Sequence, residues 1–161
     1  RMYPPWLKLI RSKLIDDHKI KYDEIVASND VLFSTKVGYY MQNFEISKDS
    51  IYNVTRNRGS LSVNYSKEIV ESRIYAYVSW YKFLKEKLLK EDLSIMNIHS
   101  LSVLSNASHH SISMMIKAFY ILVTNRVPVV TLESIRVSYF IPKLYNRFIR
   151  HDVDKKYSIK S

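Results

Sequence analysis

Cysteine is absent from this 161-residue chain, so disulfides and thiolate metal sites are excluded and the redox compartment is left open. Glycine is scarce as well: Gly38 and Gly59 are the only two. A loop that cradles phosphate needs several glycines for close backbone approach, so such a loop is not expected. No apolar run is long enough to cross a bilayer, and the most apolar stretch, 112–123, is interrupted by Ser113 and Lys117. Charges among the first twenty residues stand where a secretory signal requires an unbroken apolar core, so secretion is not expected. No Gly-x-Ser-x-Gly elbow occurs among the many serines, which leaves no nucleophile to nominate. The carboxylate pairs Asp16-Asp17 and Glu91-Asp92 lie among lysines, the pattern of solvated charge and not of a buried acid/base pair. His109 and His110 are adjacent, and on a strand their rings would point to opposite faces; with His99 they read as surface histidines without a supporting carboxylate cluster. Neither catalysis, nor a bound metal or cofactor, nor a small-molecule substrate is expected.

What the chain does have is positive charge, +10 in all, concentrated at its ends. Residues 1–20 set Arg1, Lys8, Arg11, Lys13 and Lys19 against Asp16 and Asp17. Residues 142–161 set Lys143, Arg147, Arg150, Lys155, Lys156 and Lys160 against Asp152 and Asp154, while 21–65 cancels to zero. A neutral middle with basic ends predicts an anionic partner, either a phosphate backbone or a lipid headgroup layer. Apolar residues at 47% against 25% charged place the chain among globular proteins and not disordered ones, and its length predicts one domain over 1–161.

Local pattern suggests the elements. Pro5 suits a helix start, and Leu7, Ile10 and Leu14 recur at helical spacing with Lys8, Arg11 and Lys13 between them. Trp6 beside this basic amphipathic turn suits a lipid interface, so Trp6, Leu7, Lys8, Ile10, Arg11 and Lys13 form a candidate membrane-binding set. Residues 31–46 read as a strand, because Phe33, Thr35, Val37, Tyr39 and Met41 alternate with Leu32, Ser34, Lys36, Gly38 and Tyr40. A short partner strand is expected at 51–55, then an exposed basic loop at 57–60.

The best-defined element is a helix over about 66–90. Val70, Ile74, Tyr77, Tyr81, Leu84 and Leu88 form its main stripe, and Ile69, Ala76, Trp80 and Phe83 widen it. Ser66 suits its N-cap, Glu68 and Glu71 its positive end, and Lys85, Lys87 and Lys90 its negative end. Residues 93–105 read as mixed strand and loop, and 106–108 as a turn. The stretch 111–124 is apolar on nearly all sides and so ambiguous; β-branched and aromatic crowding favours a strand. After a turn at 125–128, Ile135, Val137, Tyr139 and Ile141 alternate as a second one-sided strand that Pro142 stops. The expected fold is therefore α+β, an antiparallel sheet covered by the long helix, with a short helix at the N-terminus.

Basic residues interleaved with Tyr145, Phe148 and Tyr157 suit a phosphate-binding surface with rings that stack on bases. The candidate nucleic-acid or nucleocapsid-binding set is Arg147, Arg150, Lys155 and Lys156, with Arg56 and Arg58 from the central loop. The thirteen tyrosines suit an interface, since each buries a large area at low entropic cost.

The element order, the small basic size and the start Tyr3-Pro4-Pro5-Trp6, with the strand pattern at 33–41 and the helix from Ser66, resemble the matrix proteins of rhabdoviruses. The compact plant-infecting members are nearest in size. The Pro-Pro-x-Tyr budding signal of many animal-virus members is not matched, because Trp6 and Leu7 follow Pro4-Pro5. The resemblance implies a structural protein of the virion, lying under the envelope and peripheral to membrane in the host cytoplasm. It implies that the protein self-associates and bridges an anionic membrane surface and the viral nucleoprotein–RNA. The residues alone leave a second expectation open, a soluble basic nucleic-acid-binding protein with no membrane role, such as a viral silencing suppressor.

Overall fold

The computed structural model describes residues 8–46 and 64–131, and every regular element within them is an α-helix. Six helices run in order: α1 Ser12–Asp17, α2 Asp30–Tyr40, α3 Lys67–Lys87, α4 Lys90–Ile95, α5 Leu101–His110 and α6 Ile112–Thr124. The α+β expectation is overturned, because no β-strand occurs among the described residues.

Two segments carry the correction. The expected strand at 31–46 is α2, followed by non-helical chain from Met41. Its alternation is real, but Leu32 and Tyr40 on the second phase are apolar as well, so period 2 never separated a wet face from a dry one. Phe33 and Val37, one helical turn apart, are the pair that goes into the core. Thr35, a residue that favours strands, satisfies its hydroxyl inside the helix by donating to the Val31 carbonyl at 2.7 Å. The expected strand at 111–124 is α6. There the local β-branched and aromatic preference, a matter of tenths of a kcal/mol per residue, yields to the packing of Met114, Ala118 and Leu122. Residues 93–105 hold the end of α4 and the first half of α5 in place of mixed strand and loop, and the expected turn at 106–108 lies inside α5. The strands expected at 51–55 and 135–141 and the loop at 57–60 lie outside the described residues.

The long helix forms where its stripe predicts. In α3, Ile69, Val70, Ile74, Ala76, Tyr81 and Leu84 are buried, and Val78 joins them. Glu68 sits in its first turn, and Lys85 and Lys87 in its last, as the macrodipole favours. Ser66 takes the extended N-cap conformation but makes no side-chain cap; Asn64 Oδ1 accepts from its N–H at 2.9 Å. The helix stops at Leu88, which turns extended, and Lys90 opens α4.

No sheet lies under α3 among the described residues. An antiparallel hairpin of α5 and α6 packs there, the most extensive pairing among the described helices. Ser111 makes the hairpin possible by serving both helices. Its extended backbone ends α5 with its N–H donating to Ala107 O, and its Oγ caps α6 by accepting from the Met114 N–H at 3.1 Å. Ala107 and Ala118, both fully buried, have side chains small enough to let the backbones of neighbouring helices come close. The main core joins Val70, Ile74, Val78, Tyr81 and Leu84 of α3 to Val103 of α5 and to Met114 and Leu122 of α6. The chain after α6 then folds back. Pro128 O accepts from both the N–H and the Oγ of fully buried Ser100, at 3.0 and 2.9 Å, and Thr131 bonds to Asn97.

A second, smaller cluster of Ile20, Phe33 and Val37 is covered by Ile10, Leu14, Ile15 and Tyr40, and ties α1 to α2. Scarce glycine shows in how α1 and α6 end. Each closes with paired Schellman bonds, Ile20 N–H to Ile15 O with Lys19 N–H to Asp16 O, and Val127 N–H to Leu122 O with Arg126 N–H to Val123 O. The left-handed residue is Lys19 (φ 50°) or Arg126 (φ 56°) where glycine is usual, a substitution that costs about 1 kcal/mol. Burial of Ile20 and Val127, the next residue in each case, offsets that cost.

Candidate functional site

α6 has two apolar faces. Met114, Ala118 and Leu122 are buried against the core. On the other side Ile112, Ile116, Phe119, Tyr120 and Val123 recur at spacings of 4, 3, 1 and 3, and they expose 73, 62, 49, 68 and 50% of their surface. A helix that is apolar all round normally lies within a core, and among the described residues nothing covers the second face of this one. The exposed stripe amounts to roughly 600 Å², the upper end of what the largest patch on a monomer usually presents.

This face is electrically quiet. No carboxylate occurs between Leu93 and Thr131. The one charge on α6, Lys117, donates to Glu71 Oε1 of α3 at 2.7 Å. That hydrogen bond is the main reason the Glu71 carboxyl sits below the usual carboxylate range.

Beside it the histidines have structural roles. His110 Nδ1 lies 2.9 Å from the Tyr65 carbonyl oxygen, which can only accept, so the ring nitrogen donates. The His109 ring rests against Tyr65 at 4.7 Å, and the Arg73 guanidinium stands 5.4 Å over the same tyrosine. The adjacent histidines thus pin the start of α3 to the α5–α6 junction. His99 offers its carbonyl to Tyr77 Oη at 2.7 Å, and burial, with Tyr81 nearby, pushes the Tyr77 phenol up to about 12. Among the described residues no group of three His, Cys, Asp or Glu side chains is placed to hold a metal.

The N-terminal candidate set divides. Ile10 is half-buried against the small core, and Lys8 is half-buried too. Arg11 and Lys13 are exposed, and the neighbouring side chain that projects into solvent is Leu9, 98% exposed. An apolar side chain beside two exposed cations is thus present at this turn, but it is Leu9 and not Ile10. Trp6 and Leu7 lie outside the described residues, as do Arg56, Arg58, Arg147, Arg150, Lys155 and Lys156. None of the described helices is long and apolar enough to cross a membrane.

Charge divides in the same way. Residues 8–46 carry six cations and six carboxylates, and 64–131 carry eight against five, so the described residues hold +3 of the total +10. Sequence reasoning overlooked the outer face of α6 because it took 111–124 as a strand. The signal that would have found it is Ser111 as an N-cap, followed by two interleaved stripes of helical period. No protein-family model, no curated protein and no solved structure matches this chain.

Proposed function

We propose that this chain is a non-enzymatic structural protein of viral matrix type: a nearly neutral helical body that self-associates, carrying basic segments that bridge an anionic membrane and a nucleoprotein. The single observation that supports it is the separation of roles within the chain. The described residues are close to neutral and present a large uncharged apolar face, while +7 of the +10 belongs to the remaining residues. Charge of that kind acts by counterion release at phosphates and by attraction to anionic headgroups, and neither requires a shaped pocket. The helices found at 30–40 and 112–124 remove the strand pattern and the expected element order from the rhabdovirus resemblance, so the weight falls on this charge partition and on the apolar face.

The test separates membrane from nucleic acid. The protein is floated with phosphatidylserine-containing vesicles and titrated with single-stranded RNA over a range of salt. A joint change of Trp6, Lys8, Arg11 and Lys13 to Gln or Ala abolishes flotation. Replacing Arg147, Arg150, Lys155 and Lys156 with Gln lowers the slope of log K against log salt by about 3, at ~0.7 for each phosphate no longer neutralised. Unchanged flotation removes the N-terminal anchor, and an unchanged slope removes the C-terminal set. A chain that binds RNA and ignores vesicles is a soluble nucleic-acid-binding protein.

A further inference from the structure

We infer that the outer face of α6 is the surface through which two copies of this chain pair, antiparallel and about a two-fold axis. The inference rests on the self-association in the function proposed above and supplies its surface.

Ile112, Ile116, Phe119, Tyr120 and Val123 offer no charge, and the one charge within α6, Lys117, is already neutralised within the chain by Glu71. Burying this face therefore strands no ion, which would otherwise cost several kcal/mol. An anionic membrane surface or a charged partner is favoured by unpaired charge, and the five side chains of this stripe carry none. A like apolar face is its nearest complement.

Roughly 600 Å² from each copy gives about 1,200 Å² for the pair, the lower edge of stable interfaces before any polar rim is added.

The stripe is centred between Ile116 and Phe119, so an antiparallel two-fold pairing sets Ile116 against the partner's ring at 119 and places the two ends, 112 and 123, against each other. Two aromatic rings then sit near the centre of the contact, where binding energy concentrates. The Tyr120 hydroxyl can remain at the wet edge. Pairing supplies each α6 with the second half of the core that its all-round apolar sequence requires.

The test uses the full chain, in which no native cysteine competes. Sedimentation equilibrium is run on the wild type and on Phe119→Asp, with Glu91→Arg on α4 as a control. The side chain at 119 is half exposed, so the aspartate can reach water and the fold should hold; far-ultraviolet circular dichroism checks this. The expected result is a monomer–dimer equilibrium weakened at least ~30-fold by Phe119→Asp and unmoved by Glu91→Arg. A Phe119→Cys variant, oxidised at low concentration, should form a disulfide-linked dimer, whereas Ser102→Cys on exposed α5 should not.

Three results overturn the inference. A wild type that self-associates with undiminished strength in Phe119→Asp leaves assembly standing and removes this face from it. A monomer in which the thiol at 119 resists alkylation shows that the chain's own remaining residues cover α6. A monomer whose thiol becomes protected by phosphatidylcholine vesicles shows that the face meets lipid. RNA and charged-vesicle binding are read separately, so failure here is distinguishable from failure of the charge-based function.

Discussion

The two cores of this protein are built differently. Around α3, α5 and α6 twelve buried residues interlock, and the centre (Val70, Ala107, Ala118, Leu122) is sealed from water. Around α1 and α2 the buried apolar cluster is Ile20, Phe33 and Val37 alone, and the polar Ser34 and Thr35 of α2 are buried as well. Ring stacking makes up part of the difference. His18 lies on Tyr40 at 3.8 Å, Tyr22 on Phe33 at 4.0 Å, and Tyr39 meets Phe83 of α3 edge-on at 5.6 Å. A stacked pair contributes about 0.5–1.5 kcal/mol beyond its area, whereas a fully buried aliphatic side chain contributes about 1.5–3 kcal/mol. The larger core should thus set the global stability, and the α1–α2 pair should open on its own at lower cost.

The hardest blow to that comparison falls on the large core. Leu122→Ala leaves a cavity where nothing is exposed, and should cost about 3–5 kcal/mol. Thermal unfolding should move down by roughly 6–20 °C at 2–4 °C per kcal/mol, with every helix lost together. A shift of under 2 °C would mean that α6 is not integral to the core.

Phe33→Ala is the matching cut in the small cluster. It removes the ring that stacks on Tyr22 and fills the space between α1 and α2, at about 3 kcal/mol, the lower end for loss of a buried phenylalanine. Its effect should be local. Amide exchange should rise in α1 and α2, while protection in α3 and α6 is kept. Equal loss of protection in both regions would show one cooperative unit and remove the distinction.

The smallest effect sharpens the large core's polar tie to the chain before α5. Tyr77→Phe deletes the hydroxyl that donates to His99 O and should cost about 1 kcal/mol near neutrality. The pH dependence has a definite sign. The phenol titrates at about 12 in the fold against 10 in the open chain, so the folded state holds the proton more tightly. Its contribution is complete below pH 10 and is lost as pH rises through 12. Denaturant midpoints at pH 9 and pH 11 should therefore differ less for Tyr77→Phe than for the wild type. Equal differences would show that this phenol does not report the core.

What reads correctly from sequence is what a single helix can express by itself. The stripe from Val70 to Leu88 has one wet and one dry side, so its period is unambiguous and α3 lies where that period puts it. α2 and α6 have no such contrast. In α2 the residues at 32, 34, 36, 38 and 40 mix apolar, small and charged types, and in α6 both faces are apolar, so local preference fell to β-branched and aromatic content and pointed to strands. Of the candidate surfaces, the basic ends are visible in composition. The exposed face of α6 is not, because a residue's exposure depends on which neighbours already cover the other side.

By itself the sequence determined the net positive charge and its placement at the ends, the absence of thiol chemistry and of a glycine-rich phosphate loop, and one long amphipathic helix. These follow from residue identity and short-range spacing. Only the tertiary structure decided that α3 packs against a helical hairpin and not a sheet, that Ile10 turns inward while Leu9 turns out, and that Ile112, Ile116, Phe119, Tyr120 and Val123 face solvent. The physical reason is that a chain segment with two apolar faces takes its conformation from the first face to be buried, and that choice is made by residues distant in sequence.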